Sequence, residues 1–97
     1  MVRGEQTYKQ QARILRALAN ETRLMLIDRL SKGECQVSEL VRMAGVDQST
    51  VSKHLAVLRN VGLVDDERRG NAVFYRLVTP CGMDFFACSS KVIRSRI

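Results

Sequence analysis

The stretch from Val46 to Gly62, VDQSTVSKHLAVLRNVG, carries its own start and stop signals and constrains the rest of the chain. Asp47 is an N-cap residue, and Gly62 stands where a helix ends in a left-handed residue. Between them Val51, Leu55 and Leu58 recur at i, i+4 and i+7, one apolar stripe of a helix. Ser49, Lys53 and Asn60 fall on the opposite side, flanked by Thr50, Ser52 and His54. The helix therefore buries one edge and offers hydroxyls, an ammonium, an amide and an imidazole on the other. These groups can donate to phosphates or base edges, and no carboxylate stands among them to repel a polyanion. A polar outer face is ordinary for a surface helix, so the neighbouring elements must decide.

The bulk numbers bound the options. Ninety-seven residues make one small domain, spanning residues 1–97. A chain this short buries roughly 60–65 % of the surface it exposes when unfolded, so pairing with a copy would help it. A hydrophobic share of 45 % and a charged share of 27 % describe a globular protein, not a disordered tail. The net charge of +6 favours a polyanionic partner. No run approaches the roughly 18 apolar residues of a membrane span. The opening MVRGEQTYKQQ lacks the apolar core of a secretion signal, so a cytoplasmic location is expected. Three cysteines, an odd number, then read as reduced thiols.

In chain order, Met1 to Gln6 reads as a frayed arm. Thr7 and Gln10 fit a capping box ahead of a helix from Tyr8 to Ala19. Its stripe is Tyr8, Ala12, Leu15 and Ala19, widened by Ile14 and Leu18. Asn20 caps a second helix, Glu21 to Leu30, with Leu24, Ile27 and Leu30 inward and Glu21, Arg23, Asp28 and Arg29 in water. Ser31-Lys32-Gly33 stops it. Glu34 to Val37 is an extended connector, and Ser38 caps a brief helix, Glu39 to Ala44. Gly45 turns the chain into the opening helix. Short helix, tight turn and second helix form the helix-turn-helix pattern, whose second helix enters the major groove.

After Gly62 the period changes. Leu63-Val64, Asp65-Asp66-Glu67-Arg68, Arg69-Gly70-Asn71 and Ala72 to Leu77 predict a β-hairpin with a basic tip. Beside a helix-turn-helix such a hairpin is a wing. Arg68, Arg69 and Arg76 would follow the sugar-phosphate backbone, and the acids at the base would face away from it. Thr79-Pro80 ends the strand. A last helix runs from Met83 to about Ser95, with Phe86, Ala87, Ser90 and Ile93 on one face and Phe85 and Val92 beside it. That face suits either a second copy or the chain's own core. Lys91, Arg94 and Arg96 complement the dipole at its end.

LANETRLMLIDRL, GECQVSEL, VDQSTVSKHLAVLRNVGLV and RRGNAVFYRL, in that order, resemble the ArsR/SmtB family of winged-helix repressors from about Ala12 to the last helix. The resemblance implies a mainly α fold with a small β-hairpin, a winged helix-turn-helix, and a homodimer held by its first and last helices. It implies binding to an imperfect palindrome in double-stranded DNA and release when an inducer binds, with no required cofactor and no enzymatic activity. It makes Gln48, Ser49, Thr50, Ser52, Lys53 and His54 DNA-facing, joined by Arg68 and Arg69 of the wing. Independently, two reading helices related by a dyad would address half-sites about 34–36 Å apart.

The remaining chemistry is in Cys35, Cys81 and Cys88. Thiolates select thiophilic ions. Arsenite-sensing relatives commonly carry a Cys-x-Cys pair before Asp-Leu, and Gln36 and Ser38 stand in those places here. Cys81 and Cys88 are seven residues apart, about 10 Å along a continuous helix. A shared ion therefore needs Cys81 ahead of that helix, a distortion, or thiols of both subunits. The expected inducer is arsenite or another soft metal(loid) ion at Cys81 and Cys88, with Cys35. The alternatives are a thiol-based redox or sulfur sensor, and a winged helix that binds protein without DNA. An enzyme is not expected: there is no Ser-His-Asp set and no phosphate loop.

Overall fold

A computed structural model describes residues 5–78 and 83–95 of the chain, with the side chains of residues 7–78 and 86–95. The elements run α1 (Glu5–Leu18), α2 (Glu21–Leu30), β1 (Cys35–Gln36), α3 (Val37–Ala44), α4 (Gln48–Asn60), β2 (Val64–Arg69), β3 (Ala72–Leu77) and α5 (Met83–Ser95). Met1 to Gly4, Thr79-Pro80, Cys81 and Arg96 lie outside the described residues, as does the side chain of Phe85. Among the described residues no helix is long and apolar enough to cross a membrane.

The core is built around α4. Val51, Leu55 and Leu58 are fully buried, together with Leu26 of α2 and Leu40 of α3. Ile27, Leu30, Cys35 and Val64 close the same cluster, and Phe86 of α5 packs against it. Both ends of α4 are fixed locally. Asp47 caps its N-terminus. At its C-terminus the Gly62 N–H donates to the Arg59 carbonyl and the Leu63 N–H to that of Leu58, both at 3.0 Å. This pair of bonds is the Schellman closure, and it requires the left-handed φ of 86° that Gly62 adopts.

The sheet has three strands in the order β1-β3-β2, so the hairpin gains a partner. Cys35 pairs with Tyr75 and Gln36 with Phe74. Two residues are too few to show a period, so the sequence marks this segment only as extended. Arg69 pairs with Ala72, leaving Gly70-Asn71 as a two-residue turn. Gly70 has a φ of 62° and Asn71 does not take positive φ, the pattern of a II′ turn.

Several boundaries and faces differ from expectation. The first helix starts at Glu5, before Thr7, because Glu5 and Gln6 are good helix formers. The third helix starts at Val37, so Ser38 is not its cap. Gln36, held extended by its pairing with Phe74, delivers the chain straight into the helix. The expected stripe of α1 faces outward: Tyr8 is 69 % and Leu15 54 % exposed, and Ala17 is the buried residue. In α2 Leu26 is buried and Leu24 only partly so, while Arg23 is part-buried and hydrogen-bonded, not solvated.

Truncating Leu55 to Ala should cost about 2–5 kcal/mol of stability in a urea titration, the range for a fully buried leucine. A loss near zero would mean that α4 is not the centre of the core.

Candidate nucleic-acid interface

The site begins with the Asp47 cap. Its carboxylate accepts the Thr50 hydroxyl at 2.6 Å, the Thr50 backbone N–H at 3.3 Å and the Ser49 hydroxyl. Bonding from the Ser49 hydroxyl, then from that of Thr50, lowers its pKa from 3.8 to about 2. The hydroxyl protons of Ser49 and Thr50 are thus committed to the cap, a role the sequence reading did not give them. Gln48, Ser52 and Lys53 are exposed, and their side chains make no hydrogen bond among the described residues. Together with the exposed Asn60 amide at the far end, they give α4 free side-chain donors.

His54 sits closer to the buried edge. Its ring is part-buried, and Nδ1 lies 3.1 Å from Nη1 of Arg23 on α2. The same guanidinium donates through Nε to the Ala17 carbonyl of α1 at 2.5 Å. The sequence reading missed Arg23. The signal was available: Arg23 lies three and four residues before Leu26 and Ile27, on the buried face of its helix.

The wing separates its charges by the pleat. Asp65, Glu67 and Arg69 share one face with their partners Arg76, Phe74 and Ala72. There Arg69 grips both carboxylate oxygens of Glu34 at 2.7 and 2.9 Å, reaches Glu67 at 3.0 Å, and lies 4.5 Å above the Phe74 ring. Its hydrogen bond holds the Glu34 carboxyl below the usual range. Arg76 pairs with Asp65 at 3.4 Å and Glu67 at 3.5 Å. Asp66 turns to the other face and pairs with Arg59 at 3.1 Å. The three acids therefore do not face one way, and two of the expected wing cations are neutralised by them and by Glu34. Arg68 is exposed and forms no ion pair among the described residues. Between α3, α4 and the wing lies an open groove of about 470 Å³, lined in part by Ser38, Gln48, Ser52, Asn71 and Tyr75.

The thiols are apart in environment. Cys35 is only 4 % exposed, inside the core, its Sγ 3.6 Å from the Gln36 carbonyl oxygen. Cys88 is exposed on α5. Among the described residues, which do not include Cys81, no three His, Cys, Asp or Glu side chains gather as metal ligands.

The arrangement of helix-turn-helix and β-hairpin is shared by known proteins. A sequence model of the family described as "Bacterial regulatory protein, arsR family" matches residues 20–66, from the cap of α2 into the wing. The solution structure of a homodimeric winged helix-turn-helix DNA-binding domain from Mycobacterium bovis, a possible ArsR-family regulator, superimposes with a TM-score of 0.82 at 31 % identity. That match covers 99 % of this chain and 89 % of that one. The chain belongs to the arsR family of bacterial regulatory proteins. Within it, the chain is 43 % identical over 72 residues to the HTH-type regulator NmtR of Mycobacterium tuberculosis, covering 74 % of this chain and 60 % of NmtR. It is 42 % identical over 66 residues to the biofilm growth-associated repressor of Xylella fastidiosa, covering 68 % of this chain and 58 % of that repressor. The matches thus span about three fifths of these two relatives' lengths. In this arsR-family chain the matched region contains the whole of α4, whereas α5 lies beyond residue 66.

The depressed pKa of Asp47 makes the α4 cap pH-dependent. A carboxyl lowered on folding contributes fully above its unfolded value of 3.8 and loses that contribution as pH falls to about 2. Asp47→Ala should therefore melt earlier than the parent at neutral pH, and the two should converge near pH 2 in thermal circular dichroism. A difference that persists unchanged at low pH would show that the charge of the cap contributes nothing.

Proposed function

We propose that this arsR-family chain is a cytoplasmic, homodimeric transcriptional repressor that reads an imperfect palindrome in double-stranded DNA and leaves it when its thiols meet an inducer. The carrying observation is the outer face of α4, where Gln48, Ser52 and Lys53 stand exposed with unused donors. Ser49 and Thr50 lie beside them at the capped N-terminus with only hydroxyl acceptors to offer while Asp47 holds their protons, and His54 lies on the flank. Arg68 supplies the wing's unpaired cation, and Arg69 can reach a phosphate only by releasing Glu34. Exposed Tyr8 and Leu15 on α1 and Val92 and Ile93 on α5 suit burial against a second copy. A dyad would then set two reading helices one turn of DNA apart. The homodimeric Mycobacterium bovis domain supports the same arrangement.

For the inducer, the first reading is arsenite or another soft metal(loid) ion bound by Cys81 and Cys88, with Cys35 if the core opens. The ion must bind the DNA-free arrangement more tightly than the DNA-bound one. Exposed Cys88 favours a second reading, in which two thiols give up two electrons and two protons to a peroxide or polysulfide and join as a disulfide. Anisotropy of DNA-bound protein titrated in parallel with As(III), Cd(II), Zn(II) and peroxide separates the two, with mass spectrometry of the product. Release by As(III) with an intact ion adduct supports the first, and a cysteine cross-link the second. Replacing all three cysteines by Ser should abolish release; retained release would exclude both.

DNA binding itself should weaken with salt at a log–log slope of roughly −0.9 per phosphate neutralised. Lys53→Ala and Arg68→Ala should each flatten that slope by about one phosphate, and Arg69→Ala should change it less. Binding indifferent to salt would point to a protein partner instead.

A further inference from the structure

Arg23 joins three helices through one guanidinium. Its Nε donates to the carbonyl of Ala17, in the last turn of α1, at 2.5 Å, and its Nη1 meets Nδ1 of His54 on α4 at 3.1 Å. The Ala17 carbonyl is one of the four that α1 leaves without an internal partner, so the bond also closes that helix end. A second arginine makes a parallel tie: Nη2 of Arg13 on α1 donates to the carbonyl of Asn60 at the end of α4, 3.4 Å away. Helix α1 carries the exposed Tyr8 and Leu15, and α4 carries the free donors. The angle between the two helices is held by these arginines as well as by packing.

The chemistry of the Arg23–His54 contact is one-directional. A guanidinium has only donors, so Nδ1 of His54 must accept. A neutral imidazole that accepts at Nδ1 carries its proton on Nε2. We propose that Arg23 is a positioning residue for DNA reading: it fixes the tautomer and ring orientation of His54, so that Nε2–H is the one donor this side chain offers beside the reading face. The proposal rests on the DNA-binding reading above for its consequence, and on the geometry alone for the tautomer. Arg23 itself acts through His54 and need not touch DNA.

The test has two arms. In the first, two-bond ¹H–¹⁵N correlation spectra of the DNA-free protein, taken where the ring is neutral, report the tautomer. The parent should show a single Nε2–H form with Nδ1 accepting, and Arg23→Met a mixture of both tautomers. In the second, DNA affinity and its salt slope are measured for Arg23→Met, His54→Ala and the double variant. Each single change should weaken binding roughly tenfold, the scale of one lost hydrogen bond to a charged group. The double variant should be no weaker than the worse single one, with the salt slope unchanged. Additive losses, or a slope that falls by about one for Arg23→Met, would make Arg23 a direct phosphate contact and overturn the proposal. An Nδ1–H tautomer in the parent would overturn it even if the protein bound no DNA. Arg23→Lys keeps a donor and should restore the single tautomer, which guards against mere loss of folding in Arg23→Met.

Discussion

The burial of Val51, Leu55 and Leu58 is the interaction on which the rest of this structure depends. All three are fully buried, against Leu26, Leu40 and Val64. Burying such side chains is worth about 1.5–3 kcal/mol each. Three of them together are of the order of a small domain's whole net stability, about 5–15 kcal/mol. The same packing fixes the rotation of α4, because a helix that commits one stripe to the core has no choice about which residues it turns outward. Lys53 and Ser52 are exposed for the same reason that Leu55 is not.

Charge is distributed by a second constraint. The chain is strongly basic, yet at the wing the excess is mostly spent internally. Arg69 and Arg76 are held by Glu34, Glu67 and Asp65, and Arg59 by Asp66. Solvated pairs of this kind add little to stability. Their effect is on placement: Glu34 draws Arg69 toward the β1 side of the sheet, and Arg68 is left as the wing's uncommitted cation. A net charge of +6 therefore describes the whole molecule but not the surface beside the groove.

Among the described residues the two thiols lie on β1 and α5, and exposed Tyr8, Leu15, Val92 and Ile93 lie on α1 and α5. Cys35 lies in the same core cluster that fixes α4, so chemistry at that sulfur would disturb α4 through packing contacts. Cys88 shares α5 with exposed Val92 and Ile93. An event at that thiol would act first on this exposed helix. The two sulfurs thus stand in different physical settings, one within the core and one on an exposed helix face.

The sequence by itself determined the order of the five helices and the hairpin, the cap at Asp47, the close at Gly62, the buried stripe of α4 and the Gly70-Asn71 turn. Each of these is a local signal, complete within one helix or one hairpin. The tertiary structure alone decided what depends on distant neighbours. It turned Tyr8 and Leu15 outward because α1 meets the core only near its end, and it started α3 at Val37 because β1 pairs with β3. It also bound Arg69 to Glu34, 35 residues earlier, and placed Arg23 against His54, 31 residues apart. Spacing along a chain fixes which residues share a face, but which face meets which neighbour is set only when the elements pack.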